Sequence, residues 1–185
     1  MSILQITDSV PAVLTDEGKV DVFLVSDILY ATYMKNLLNN SNREQIIKRI
    51  ESLREDAQRH WGKMNVNEML CHTADQLRMG TGTTKTKFVG NFFLEKIFKG
   101  LVLAGFPTPK GKIETVPELK QGAGGTKPKS FKEDKLELIG LINHFAKNPH
   151  LSNGIKHPAF GEMNSQQWGR LAFLHLDHHL KQFGA

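Results

Sequence analysis

Four stretches of the chain repeat apolar residues at helical spacing, and each opens on a side chain able to cap a helix. Ser41-Asn-Arg-Glu44 precedes Ile46, Ile47, Ile50, Leu53 and Ala57. Asn65-Val-Asn-Glu68 precedes Met69, Leu70, Thr73, Ala74 and Leu77, with Val66 on the same face. Ser130-Phe-Lys-Glu133 leads to Leu136, Ile139, Ile142 and Phe145. Asn164-Ser-Gln-Gln167 leads to Trp168, Leu171, Ala172, His175 and His179. In such a tetrad the first and fourth residues satisfy each other's unpaired backbone amides. The recurrence behind it marks one helix face turned toward a core. Met64 and Met163, each just before an asparagine cap, pair with Met69 and Trp168 as hydrophobic staples. Gly184 closes the last helix.

Strand-like alternation is confined to residues 20–30, so the predicted class is all-α and an antiparallel helical bundle is the simplest architecture. The connection between the second and third helices is long, spanning residues 81–129. Asn91 to Leu103 is apolar enough for a short extra helix ending near Gly105. The rest, Phe106-Pro-Thr-Pro-Lys-Gly through Gly122-Ala-Gly-Gly-Thr-Lys-Pro128, reads as a loop. Crossing an end of the bundle, it is placed to lid a site.

Residues 1–33 break this pattern. They hold five acidic residues against one lysine, and a β-like run from Val20 to Tyr30. They are either an extension of uncertain order, with Met34 as the native start, or an N-terminal arm docked on the bundle. The bundle domain is residues 34–185 in both cases.

Composition narrows the class without choosing a function. The 185 residues are 39% apolar and 23% charged, ordinary values for a soluble domain with a sizeable core. A single cysteine, Cys71, excludes an internal disulfide and fits a reducing compartment. The most apolar stretch, Val89 to Ala104, is interrupted by Glu95, Lys96 and Lys99, so no membrane span is expected. No secretory or transit signal opens the chain, and a cytoplasmic location is expected. The net charge is +5, with eleven lysines against five acids in residues 85–135. No aromatic stacking pattern accompanies those lysines, so a solvated loop is favoured and nucleic-acid binding ranks last.

The chemistry concentrates in the final helix. His175 and His179 are four apart and lie one turn from each other on one face. That spacing lets two imidazoles grip one metal ion, as in the helical His-Glu-x-x-His motif. They share their face with Trp168, Leu171 and Ala172, so they point into the bundle, where bare imidazoles are costly without partners. His72, on the flank of the second helix's apolar stripe, is the candidate third ligand. Three neutral nitrogens leave coordination positions for water or substrate, the arrangement of a catalytic site. Zinc, nickel or iron suits such ligands, and copper is also compatible. Ligand imidazoles hand their second N–H to an acceptor, for which Asp75, Gln76 and Gln182 are candidates. Asp177 and His178 fall on the other side of the helix and are expected in solvent. Cys71 projects a quarter-turn from His72 and reads as a buried, inert thiol. His60, Trp61 and His157 are placed at the pocket rim, Trp61 as a packing anchor. There is no Gly-x-Ser-x-Gly elbow, phosphate-binding glycine loop or dinucleotide fingerprint.

Two stretches carry a family resemblance. They are His60-Trp-Gly-Lys-Met-Asn-Val-Asn-Glu-Met-Leu-Cys-His72 and His157-Pro-Ala-Phe-Gly-Glu-Met-Asn-Ser-Gln-Gln-Trp-Gly-Arg170, continuing to His175-Leu-Asp-His-His-Leu-Lys-Gln182. Over residues 36–185 the chain resembles the DinB/YfiT-like superfamily, especially its branch catalogued as a domain of unknown function. The resemblance implies an up-down-down-up four-helix bundle and a metal held by His72, His175 and His179. It also implies the activities of relatives: thiol S-transferases and isomerases that use low-molecular-weight thiols, and metal-dependent hydrolases. Leu180-Lys181 stands where many members carry Arg-Gly. The leading expectation is a metal-dependent enzyme, hydrolase or thiol S-transferase, acting on a small molecule, in a monomer or homodimer. The alternative is a non-catalytic stress-response or binding module that keeps the metal-binding bundle.

Overall fold

The computed structural model describes residues 35–87, 92–106 and 115–185, and residues 35–185 form one compact unit. The expectations for residues 1–33 lie outside the described residues. Five α-helices occur among the described residues: α1 (Asn40–Ser52), α2 (Val66–Gly80), α3 (Phe92–Leu103), α4 (Phe131–Lys147) and α5 (Ser165–Gln182). Short 3-10 turns cover Pro117–Leu119 and Pro149–Ser152. Two-residue strands β1 (Lys156–His157) and β2 (Gly161–Glu162) pair antiparallel, His157 opposite Gly161. The chain is therefore mostly helical, in agreement with the all-α expectation, and no described helix is long and apolar enough to cross a membrane.

The helix starts follow local hydrogen-bond chemistry. Asn65 Oδ1 accepts the Glu68 amide at 2.8 Å while Glu68 Oε2 accepts the Asn65 amide at 2.8 Å. Asn164 and Gln167 repeat the exchange at 2.9 and 3.1 Å. The first helix departs from expectation: Asn39, not Ser41, is its cap and accepts the Asn42 amide at 3.3 Å. Glu44 is instead taken by the Asn40 side chain at 2.6 Å, so the boxed spacing at Ser41 is coincidental. Ser130 caps α4, accepting the Glu133 amide at 3.3 Å and donating its hydroxyl to Glu133 Oε2 at 2.6 Å. That hydroxyl holds the carboxylate that a full box would send to the cap amide.

Helix α2 occupies the centre. It packs against α4 and α5, while α1 closes on α4 and α5. Met69, Leu70, Ala74, Leu77 and Met79 of α2 meet Ile46 and Ile50 of α1, Leu138, Ile142 and Phe145 of α4, and Trp168, Leu171 and Leu176 of α5 in one core. Burial of each large apolar side chain contributes about 1.5–3 kcal/mol. The stripe of α4 corrects the expectation. Ile142 and Phe145 are buried as expected, but Leu136 is 60% exposed, and Asp134 and Leu138 are buried in its place. Apolar residues surround α4 at 136, 138, 139, 141 and 142, so periodicity alone leaves two faces open and the fit to α2 decides.

Close approach fixes α5 against the chain before α1. Leu37 N–H donates to Gly169 O at 3.0 Å. The Asn36 side chain fills the space a β-carbon at residue 169 would need. Arg170 donates to Leu103 O at 2.9 Å and Lys35 O at 2.8 Å, tying the end of α3 to the same helix.

Candidate metal centre

The centre is built where the middle of α2 faces the last turns of α5. Nearly every side of α2 is buried, so its polar residues Thr73, Asp75, Gln76 and His72 all need partners inside the protein. Thr73 turns its hydroxyl back to Met69 O at 2.9 Å. His72 instead faces α5. There the four-residue spacing brings His175 and His179 onto one side, with ring centroids 4.6 Å apart. The His72 ring lies 4.9 Å from His175 and 5.0 Å from His179. One nitrogen from each of the three falls within 4.8 Å of the others, a grouping that could hold a metal ion.

The closest pair is His72 Nε2 and His175 Nε2, 3.1 Å apart. Two imidazole nitrogens at that distance share either a proton or a cation. A tetrahedral ion with bonds of about 2.0–2.1 Å sets its ligand nitrogens about 3.3 Å apart, so the donor set fits one.

Hydrogen bonds decide which nitrogen two of the rings present. His72 Nδ1 lies 3.2 Å from Leu119 O. A carbonyl only accepts, so Nδ1 carries the proton and Nε2 keeps its lone pair. His179 Nδ1 lies 2.8 Å from Gln182 Oε1, and Gln182 Nε2 donates to Trp61 O at 2.7 Å. His179 therefore also bears its proton on Nδ1. The Nδ1 atom of His175 is buried with no hydrogen-bond partner among the described residues. Its Nε2 carries the proton if the 3.1 Å contact with His72 Nε2 is a hydrogen bond, and its Nδ1 carries it if a cation occupies that contact.

Electrostatics keep all three rings neutral. Burial pushes His72 below the ordinary imidazole range, opposed by the Leu119 carbonyl and the charge of Asp75. Burial also pushes His175 well down, and the neighbouring His179 and His72 rings add to it. His179 is pushed down to about 3, by burial first and then by His72. Their lone pairs are thus available near neutral pH without competition from protons.

Of the three acceptors expected to orient ligands, only Gln182 does so. Asp75, 3% exposed, turns away to Thr126, accepting its amide at 2.8 Å and its hydroxyl at 2.6 Å, and to Arg78 at 2.6 Å. Gln76 is buried, and its Oε1 has no partner among the described residues. The Leu119 carbonyl was missed, because a backbone acceptor in a loop leaves no mark in residue type. It also brings the crossover connection to the centre, through the turn at Pro117–Leu119. Asp177 corrects the expectation of a solvated side chain: it is half-buried and pairs with Arg49 at 2.6 Å and Lys181 at 3.0 Å. His178 packs edge-on against Trp61, ring centroids 5.7 Å apart. His60 donates its amide to Gln182 O at 2.8 Å. His157 stacks on Phe160 at 4.4 Å, next to Trp168. The Cys71 thiol is buried, and burial together with Asp134 pushes it up to about 12. It is an unreactive group by that measure.

The model of a family described as "Protein of unknown function (DUF1569)" matches residues 33–185. No curated protein and no solved structure matches the chain.

Proposed function

The chain belongs to the DUF1569 family, and we propose that it is a metal-dependent enzyme whose His72, His175 and His179 hold a divalent cation. The convergence of three neutral imidazoles, one per ring within 4.8 Å, carries this reading. Burial supplies a second support. Bare imidazoles in a core are costly, and a shared cation satisfies the lone pairs of all three at once. Helices α1, α2, α4 and α5 then form an up-down-down-up bundle of the DinB/YfiT-like kind, with α3 on the crossover.

The cation, zinc, nickel or iron by ligand type, would supply Lewis acidity toward a water or a thiolate. The chain's own part is positional. His72 and His179 are each turned by a hydrogen bond so that Nε2 faces inward, and burial keeps them unprotonated. His175 is the least buried of the three residues, and a small molecule would approach the centre from its side. The reaction class is hydrolysis or transfer of a low-molecular-weight thiol.

Elemental analysis of purified protein beside His72→Ala, His175→Ala and His179→Ala tests the site. A co-purified ion present at one per chain in the wild type and lost in all three variants supports it. An ion retained by any of them overturns it. Conjugation of an electrophile that needs both the metal and an added cellular thiol identifies the transferase. Metal-dependent turnover without thiol identifies the hydrolase. Tight metal binding without turnover across both panels identifies a binding module.

A further inference from the structure

We infer that Gln182, seated on the Trp61-Gly62 turn, is a positioning residue that fixes the tautomer of His179 and so determines which nitrogen reaches the metal centre. The inference rests on the metal-site reading above and adds a device outside the three ligands. Gln182 is 3% exposed, so its amide must find partners inside the protein. An amide side chain can be turned either way, and its oxygen and nitrogen would ask opposite things of His179. Here the choice is forced from the far side. Trp61 O lies 2.7 Å from the amide and only accepts, so the nitrogen must face it and the oxygen must face His179. The ring then protonates on Nδ1 and presents Nε2.

Gly62 makes room for this seat. Its φ of +79° is favourable for glycine, and a β-carbon there would sit 2.5 Å from Gln182 Nε2. The His60 amide, donating to Gln182 O at 2.8 Å, holds the same turn against the end of α5. A turn 117 residues before His179, with no ligand of its own, thus sets the chemistry of that ligand.

The experiment is long-range proton–nitrogen correlation NMR on metal-free protein labelled with 15N-histidine, with cobalt(II) titration followed by visible absorption. In the wild type, His179 should show its proton on Nδ1. Gln182→Met keeps the length and burial but removes the acceptor; it should populate the other tautomer and weaken cobalt binding by roughly 10–100-fold. Gly62→Ala should do the same by displacing the amide. Gln182→Glu keeps an acceptor for His179 Nδ1 but loses the donor to Trp61 O; it should keep the proton on Nδ1 while loosening the Trp61-Gly62 turn. A wild-type spectrum with the His179 proton on Nε2 overturns the inference, whatever the variants do. Wild-type tautomer and affinity in Gln182→Met overturn it too. A wild type that shows the Nδ1 proton yet binds no cobalt leaves the lock intact and removes the metal reading instead.

Discussion

His72 Nε2 and His175 Nε2 meet at 3.1 Å although 103 residues separate them. Such a contact between two neutral rings is worth little by itself. Its energy comes from whatever sits between them, a proton or a cation.

Metal addition should therefore stabilise the fold. Zinc at a hundredfold excess over its dissociation constant contributes about 2.7 kcal/mol. For a chain of this size that raises Tm by on the order of 5–10 °C. Thermal melts with zinc and then with chelator should show the shift and its reversal, and His175→Ala should show neither. Equal melts in zinc and chelator for the wild type would count against the site.

The Asp75 carboxylate should matter more to stability than any exposed charge. It is buried and accepts from Arg78, the Thr126 amide and the Thr126 hydroxyl, with Arg78 also reaching Glu137 at 2.5 Å. Asp75→Ala leaves Arg78 and Thr126 without their buried partner and should cost about 3–5 kcal/mol in urea denaturation. Hydrogen exchange at residues 119–126 should accelerate, because this carboxylate anchors the connection that carries the Leu119 carbonyl.

The Arg49–Asp177 pair makes the opposite case. Its side chains are 26% and 23% exposed, so water and salt screen it. Arg49→Met should cost about 1 kcal/mol or less, with a smaller difference from wild type at high salt. A loss as large as that of Asp75→Ala would show that the Arg49 bond to Ala185 O, at 2.9 Å, carries the end of α5.

Acid should destabilise the protein through His157 as well as through the centre. His157 Nδ1 accepts the amides of Ala159 at 3.1 Å and Phe160 at 3.2 Å, and burial pushes the ring down to about 4 from 6.5. Between those values the unfolded chain takes a proton and the folded one does not. The contribution is thus intact above pH 6.5 and is lost as pH falls toward 4, by no more than about 3 kcal/mol. His157→Asn offers an oxygen to the same amides without titrating. The three ring pKa values at the centre are lowered too and act in the same direction. The readout is therefore the difference between variant and wild type in urea midpoints from pH 7 to 4.5, which should shrink as pH falls.

Local sequence determined what local chemistry controls. The boxes at Asn65 and Asn164 start α2 and α5 because cap and partner lie three residues apart. The four-residue spacing places His175 and His179 on one face because the helix repeats every 3.6 residues. His72 was legible as a candidate only beside that pair. Neighbours distant along the chain were decided by the tertiary structure alone. The register of α2 against α5 brings the third ring in. The turn at Pro117–Leu119 offers a backbone carbonyl that no residue type announces. The packing of α4 on α2 exposes Leu136 and buries Asp134, and α1 recruits Asp177 out of solvent. Periodicity specifies a face and an interval. Which faces meet, and at what height, depends on every side chain in the core fitting at once.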